Sequence, residues 1–309
     1  MPETVGRLYE REEAFWDTYR VGRPTVPDSF FARIFDYHAA KGPSIAPNQP
    51  HPTFNLAHDA GAGDGLHAPR LRARFGHVIV SDVAPGNISL AREHLAEAND
   101  GANMLHLVPS QQTAVAALAR QLRPGGTLAV AAFGPARFPQ GSPLAAVWKR
   151  FRERLGEGII QVAEGMAGYG GGERLDAALE TMKRITGWYN VAPLDGGMFE
   201  DGVMRVRINA GEEGLLGLWL VPERLMKRAV AESCVGEKDV IVWEEDEGWC
   251  SEMDADGVKA QFESFNIVSA VDDELVKMYE EVDMLLPADE RVRVTFYCEL
   301  ILATRRFDA

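Results

Sequence analysis

The residues with the clearest chemical signal lie between 59 and 65, where three glycines alternate after an acid. Asp59 follows a short apolar run, and Gly61, Gly63 and Gly65 stand at every second position after it. Glycine has no side chain, so a backbone with this spacing can approach a ligand closely. A helix is predicted after the loop, and the amides at a helix N-terminus add positive potential. The segment predicts a strand, a ligand-binding loop and a helix.

The spacing of the glycines indicates which of the common nucleotide ligands the loop could bind. A dinucleotide-binding loop that uses Gly61 and Gly63 requires a third glycine at position 66, where this chain has Leu66. A P-loop ends in Gly-Lys-Ser or Gly-Lys-Thr, and the segment contains neither. The loop therefore disfavours NAD and ATP, and an oxidoreductase on a related parallel sheet is a weaker alternative.

Two further segments accompany the loop at a recognisable spacing. The apolar run 77–81 ends in Asp82, and an Arg-Pro-Gly-Gly turn at 123–126 precedes a buried strand at 127–133. With the acid-x-Gly-x-Gly-x-Gly loop, this pattern resembles class I S-adenosylmethionine-dependent methyltransferases, and among them the branch of trans-aconitate methyltransferase and its fungal relatives. The resemblance covers 54–133 well, the two ends of the chain moderately and the middle loosely.

The resemblance implies that the cofactor is S-adenosylmethionine, and it assigns residues to that cofactor. Gly61, Gly63 and Gly65 would pack against its methionine and ribose portions, with Asp59 near the loop. Asp82 would accept hydrogen bonds from the ribose hydroxyls. A carboxylate suits that role because its two oxygens can hold a vicinal diol.

The resemblance also implies residues for the methionine end and the acceptor. Asn103 and Met104 would line the methionine end of the cofactor, and Tyr19 would belong to an N-terminal lid. The predicted catalytic residues are Arg23, which would position an acceptor carboxylate, and His106, which would take a proton from a hydroxyl, amine or thiol. A core or surface histidine is an equally open interpretation of His106.

Methyl transfer from a sulfonium depends on placing a nucleophile in line, about 3 Å from the methyl group, more than on acid-base machinery. We therefore expect an S-adenosylmethionine-dependent enzyme, with no metal, whose acceptor is a small molecule such as a carboxylate or a secondary metabolite. Four aromatic side chains in the predicted helical insertion would form an apolar pocket for it: Phe151, Tyr169, Trp188 and Tyr189.

Strand-like runs alternate with helical patterns from 54 to 133, which is typical of a parallel sheet with helices on both faces. The predicted fold is α/β, a doubly wound, mostly parallel, Rossmann-like sheet in one compact domain. Its parts are an N-terminal helical lid (1–50), the cofactor-binding core (51–140), a helical insertion or substrate cap (141–202) and the C-terminal part of the sheet (203–309). Further strands are predicted at 203–208, 215–220, 240–243 and 292–304.

The span between Asp82 and Arg123 is too short for the elements that this fold places there. Three helices and two strands need about 55–60 residues. The run 102–107 already resembles the end of a fourth strand, so the third strand is predicted to be missing. A true deletion, an alternative transcript and a gene-model error all remain open. The shortage also keeps open an alternative function, a methyltransferase-like partner or regulatory protein without catalysis.

Composition sets the outer limits on function. The chain has 309 residues and a formal charge of −14, a field that repels phosphate backbones and anionic lipid headgroups. We therefore expect no nucleic-acid partner and no membrane partner. The three cysteines form neither a disulfide framework nor a metal pair, and no uninterrupted apolar run is long enough for a bilayer. This predicts a cytoplasmic protein, and the oligomeric state is left open.

Overall fold

A computed structural model describes residues 20–41, 54–82, 84–95, 110–165, 171–186, 194, 196–210, 221–228, 235–264 and 273–307. Its helices are α1 (Asp28–Lys41), α2 (Ala68–Arg72), α3 (Pro85–Leu95), α4 (Gln111–Gln121), α5 (Pro143–Gly165), α6 (Gly171–Thr186), α7 (Ala255–Glu263) and α8 (Asp273–Leu285). Its strands are β1 (Phe54–Ala60), β2 (Phe75–Ser81), β3 (Thr127–Phe133), β4 (Met204–Ile208), β5 (Val240–Glu244), β6 (Cys250–Met253), β7 (Val292–Thr295) and β8 (Cys298–Thr304).

Local sequence explains where several helices begin. The side chain of Ser110 accepts a hydrogen bond from the amide of Thr113, which caps the first turn of α4. Asp254 caps α7 in the same way through the amide of Gly257. Helix α1 starts at Asp28 and buries aromatic side chains at helical spacing, among them Phe31 and Phe35.

The strands form three separate sheets in the described part of the chain. β1 and β2 pair in parallel, β3, β8, β4 and β5 form a four-stranded sheet in that order, and β6 pairs with β7. β8 runs antiparallel to both β3 and β4, whereas β4 and β5 are parallel. The predicted single, doubly wound parallel sheet is therefore only partly present.

Helices nevertheless cover both faces of β3 and β8. On one face, Val130 and Ile301 pack in a cluster with Val115 of α4. On the other face, Leu300 belongs to the main core with Phe30 of α1. This layering of helix, sheet and helix is the arrangement that the sequence predicts for a parallel sheet, and it holds even though β8 is antiparallel.

A cavity of about 910 Å³ separates β1 from β3. Both strands line it along most of their length, and α1 and α4 contribute side chains from either face. The lining includes Ile34 of α1 and Leu118 of α4, so it is mainly apolar. Within the described residues, the sheet of β1 and β2 is therefore not joined to the four-stranded sheet, and a continuous sheet would need one more strand here.

Two expectations for the second half of the chain need correction. The predicted strand 292–304 is two strands, because β7 pairs with β6 while β8 pairs with β3 and β4. The two strands are separated by Phe296 and Tyr297, and the carbonyl of Tyr297 accepts a hydrogen bond from the amide of Gly134. Phe151 does not line a substrate pocket, because its ring stacks on Phe262 in the core and is 1% exposed.

Within the span predicted to be a helical insertion, the described residues include helices α5 and α6. Its role as a substrate cap remains a prediction. The other aromatic residues expected to form its pocket, and the strand expected at 215–220, lie outside the described residues. In the described part of the chain, no helix is both long and apolar enough to cross a bilayer.

Candidate functional site

The glycine loop has the backbone conformation that its composition predicts. The φ angles of Gly61, Gly63 and Gly65 are 81°, 55° and 84°, in the left-handed region that residues with a side chain rarely occupy. The amides of Gly61 and Ala62 both donate to the carbonyl of Ser81, at 2.7 and 3.0 Å. The amide of Gly65 donates to the carbonyl of Ala62 at 2.9 Å. The loop is therefore held by the protein itself. Gly61 is partly exposed, whereas residues 62–65 are buried.

Asp82 follows β2 and closes the loop from the side. Its Oδ2 accepts a hydrogen bond from the amide of Gly63 at 2.9 Å. Its Oδ1 accepts from the amide of Ala84 at 2.8 Å and from the side chain of Asn87 at 3.2 Å. The predicted ribose-binding acid therefore lies beside the predicted cofactor loop, and its carboxylate orientation is fixed by three donors.

Asp59 lies near the end of β1, opposite Val80 of β2 in the strand register. Its side chain is buried, at 8% exposure. Asp59, Gly61 and Asp82 all line the cavity between β1 and β3. The structure thus brings together five of the predicted cofactor residues: Asp59, Gly61, Gly63, Gly65 and Asp82.

Arg23 contacts the C-terminal end of α7. Its Nε donates to Oγ of Ser264 at 3.2 Å, and its Nη2 donates to the carbonyl of Ser264 at 3.4 Å. Its predicted role toward an acceptor carboxylate remains a prediction. Tyr19, Asn103, Met104 and His106 lie outside the described residues.

An ion pair that the sequence did not indicate reaches the middle of the loop. Nη2 of Arg20 donates to Oδ2 of Asp64 at 2.7 Å. The Asp64 side chain is 4% exposed, although it stands between Gly63 and Gly65 in a loop. An acid within a glycine loop was a visible signal, but only the fold shows which cation lies beside it.

Two histidines in the wall of the cavity were also missed. Nδ1 of His38 lies 2.8 Å from the hydroxyl of Thr127, and burial lowers the pKa of His38 below its ordinary value. The ring of His58 lies 2.7 Å from the hydroxyl of Ser81 and 3.1 Å from the side-chain oxygen of Gln121. Both rings have polar partners within the protein, so they are parts of the wall.

No family model matches the chain. Among curated proteins, it is 36% identical to Methyltransferase tpcM of Aspergillus fumigatus, over 98% of this chain and 95% of that protein. It is 35% identical to Methyltransferase gedG of Aspergillus terreus, over 99% and 96%. It is 34% identical to Methyltransferase AacuQ of Aspergillus aculeatus, over 97% and 96%.

The alignments with these relatives also show that this chain lacks residues that they have. The first spans 326 positions, which is more than the 309 residues of this chain. The relative therefore has residues with no counterpart here. This is the direction of difference that the short span between Asp82 and Arg123 predicts.

Proposed function

The chain belongs to a family of fungal methyltransferases, and we propose that it transfers a methyl group from S-adenosylmethionine to a small-molecule acceptor. The observation that carries this proposal is the glycine loop fixed by Asp82 between two parallel strands. Ligands of open α/β sheets bind in the crevice beyond the carboxyl ends of the strands, which is where this loop lies.

The residues around the loop fit this cofactor. Gly61, Gly63 and Gly65 have no side chain that would obstruct a ligand, and Gly61 lines the cavity. Asp82 offers a carboxylate to the ribose hydroxyls. Oδ1 of Asp82 already accepts two hydrogen bonds, whereas Oδ2 accepts one. The first ribose hydroxyl would therefore meet Oδ2, and a second would compete with Asn87, whose 3.2 Å bond is the longest of the three.

The bound cofactor would supply an electrophilic methyl group on a sulfonium. The protein would then have to exclude water and hold the acceptor nucleophile in line with that methyl group. An acceptor carboxylate bound at Arg23 would share the guanidinium with Ser264. His106 is the proposed proton acceptor for a hydroxyl, amine or thiol substrate, and Tyr19, Asn103 and Met104 are proposed neighbours of the methionine end.

We also propose that the sheet of β1 and β2 and the four-stranded sheet belong to one doubly wound sheet, with the predicted strand 102–107 between β1 and β3. The cavity between these strands supports this, because both of its edges are strands and helices cover both faces. Leu56 of β1 and Ile79 of β2 line this cavity and are each 48% exposed, as expected of apolar side chains beside an unfilled space.

The acceptor class and the location of the protein are proposals of the same kind. A small organic acid or secondary metabolite is the proposed acceptor class. The negative net charge of the chain opposes nucleic acid as a substrate. Cysteines scattered along the chain suit the reducing cytoplasm.

Calorimetric titration with S-adenosylmethionine, and separately with S-adenosylhomocysteine, tests the proposed function directly. Micromolar binding, about −8 kcal/mol, is the expected result. Methyl transfer from labelled cofactor to a panel of organic acids and aromatic metabolites would then identify the acceptor. Absence of binding at millimolar cofactor would overturn the proposal for this chain.

A further inference from the structure

Arg20 and Asp64 form an ion pair at the centre of the glycine loop. The pair joins Nη2 of Arg20 to Oδ2 of Asp64 at 2.7 Å, across 44 positions of sequence. The Arg20 side chain is 32% exposed and the Asp64 side chain only 4%. A carboxylate this deeply buried has few contacts with water, so it needs hydrogen-bond donors within the protein, and Arg20 is one of them.

The pair acts on the same stretch of backbone as Asp82. Asp64 directly follows Gly63, whose amide donates to Oδ2 of Asp82. Asp64 also precedes Gly65, whose amide closes a turn onto Ala62. Arg20 therefore holds the side chain of the one non-glycine residue between the two glycines, and both flanking peptide units are fixed by hydrogen bonds.

The segment that carries Arg20 is itself tightly anchored to the other half of the chain. Gly22 lies so close to α7 that a Cβ there would overlap the carbonyl oxygen of Ala260. Arg23 is bonded to Ser264, and Val26 is buried in the main core. Arg20 is thus presented to the loop from a fixed backbone.

We propose that Arg20 and Asp64 are positioning residues that hold the glycine loop in its cofactor-binding conformation and couple it to residues 20–26 and α7. This inference rests on the proposed function, because the loop is taken to bind the cofactor. The coupling is reciprocal: if the ion pair favours the binding conformation, then bound cofactor tightens the ion pair by the same factor.

The test compares Arg20→Gln, Asp64→Asn and the double variant with the wild-type chain. A matched control is the surface pair of Lys238 and Asp201, at 2.6 Å with exposures of 72% and 61%, changed to Gln and Asn. Each protein is titrated with S-adenosylhomocysteine, and amide hydrogen exchange is measured in a peptide spanning 61–65 without ligand. Arg20→Lys serves as the conservative variant.

We expect each single variant at Arg20 or Asp64 to weaken binding about tenfold and to speed exchange in the loop. The double variant should bind S-adenosylhomocysteine no more weakly than the single variant with the lower affinity, because the two residues act as a pair. Arg20→Lys should recover part of the affinity, and the control pair should change neither measurement.

The two possible failures are distinguishable. Absence of cofactor binding by the wild-type chain would overturn the proposed function. Loop exchange that is the same in wild type, Arg20→Gln and Asp64→Asn would overturn the positioning role, whether or not the wild-type chain binds the cofactor. Equal binding losses in the control pair would overturn it as well, because they would reflect general charge.

Discussion

The amide of Gly63 donates to the carboxylate of Asp82 at 2.9 Å, so the acid after β2 fixes the loop after β1. The two residues follow neighbouring parallel strands and meet at the same edge of the sheet. Asp82 is therefore a structural acceptor for the loop and, in the proposed function, a ribose acceptor too.

This double role predicts two effects of Asp82→Ala. Three donors lose their acceptor, which should lower the free energy of unfolding by about 1–3 kcal/mol. Affinity for S-adenosylmethionine should fall about tenfold or more, as measured by calorimetry. Asp201→Ala, at an exposed acid, is the control for removing a negative charge. Unchanged affinity in Asp82→Ala would remove this residue from the cofactor site.

The positive φ angle of Gly63 gives a second prediction with a matched control. Gly63→Ala places a side chain at φ 55°, which costs about 1–2 kcal/mol of stability. Gly141 has φ 78° and open space around it, so Gly141→Ala carries a similar backbone penalty away from the site. Both variants should be destabilised in thermal unfolding, but only Gly63→Ala should lose cofactor affinity. Equal affinities in the two variants would show that the loop does not contact the cofactor.

The loop and its acid could be predicted from sequence because their signals are local. Each glycine is needed for a backbone conformation within its own turn, and Asp82 ends a recognisable strand. The position of β8 could not be predicted in this way. Its residues have the composition of a buried strand, but composition does not say that β8 inserts antiparallel between β3 and β4.

The long-range contacts of the candidate site could not be predicted from the sequence either. Arg20 and Asp64 are 44 positions apart, and Arg23 and Ser264 are 241 apart. The partner of an arginine depends on how the segment 20–26 packs on α7, which is decided by the whole core. Phe151 was misassigned for the same reason, since an aromatic residue on a helix suits a pocket and a core alike.

The cavity between β1 and β3 gives a third prediction. If the predicted strand 102–107 occupies it, Leu105→Ala removes a buried side chain and should lower the free energy of unfolding by about 2–4 kcal/mol. Met226→Ala, at a side chain that is 52% exposed, should change it by less than about 0.5 kcal/mol. Urea titration of both variants measures the difference. Equal, small effects would mean that Leu105 is not packed between the strands.

Glu299 of β8 gives the last prediction, which concerns pH. It is directly opposite Arg207 of β4, with Oε2 and Nε 3.4 Å apart, and it is fully buried. Burial raises the pKa of Glu299 to about 8, although Arg207 and Arg205 favour its charged form. Between about pH 5 and 8, the folded chain therefore keeps a proton that the unfolded chain releases.

The sign of the pH effect follows from that proton. The contribution of Glu299 to the free energy of unfolding should be greatest below about pH 5. It should fall by at most about 1.4 kcal/mol per pH unit between pH 5 and pH 8. Glu299→Gln preserves the shape of the side chain but removes its titratable proton, so the unfolding free energy of this variant should no longer fall between pH 5 and 8 for this reason. Glu290→Gln, which changes an exposed acid, should keep the pH dependence of the wild-type chain. The measurement is urea unfolding at several pH values. A Glu299→Gln chain that is destabilised equally at every pH would instead mean that Glu299 is charged and paired with Arg207, because the buried arginine would then lose its partner.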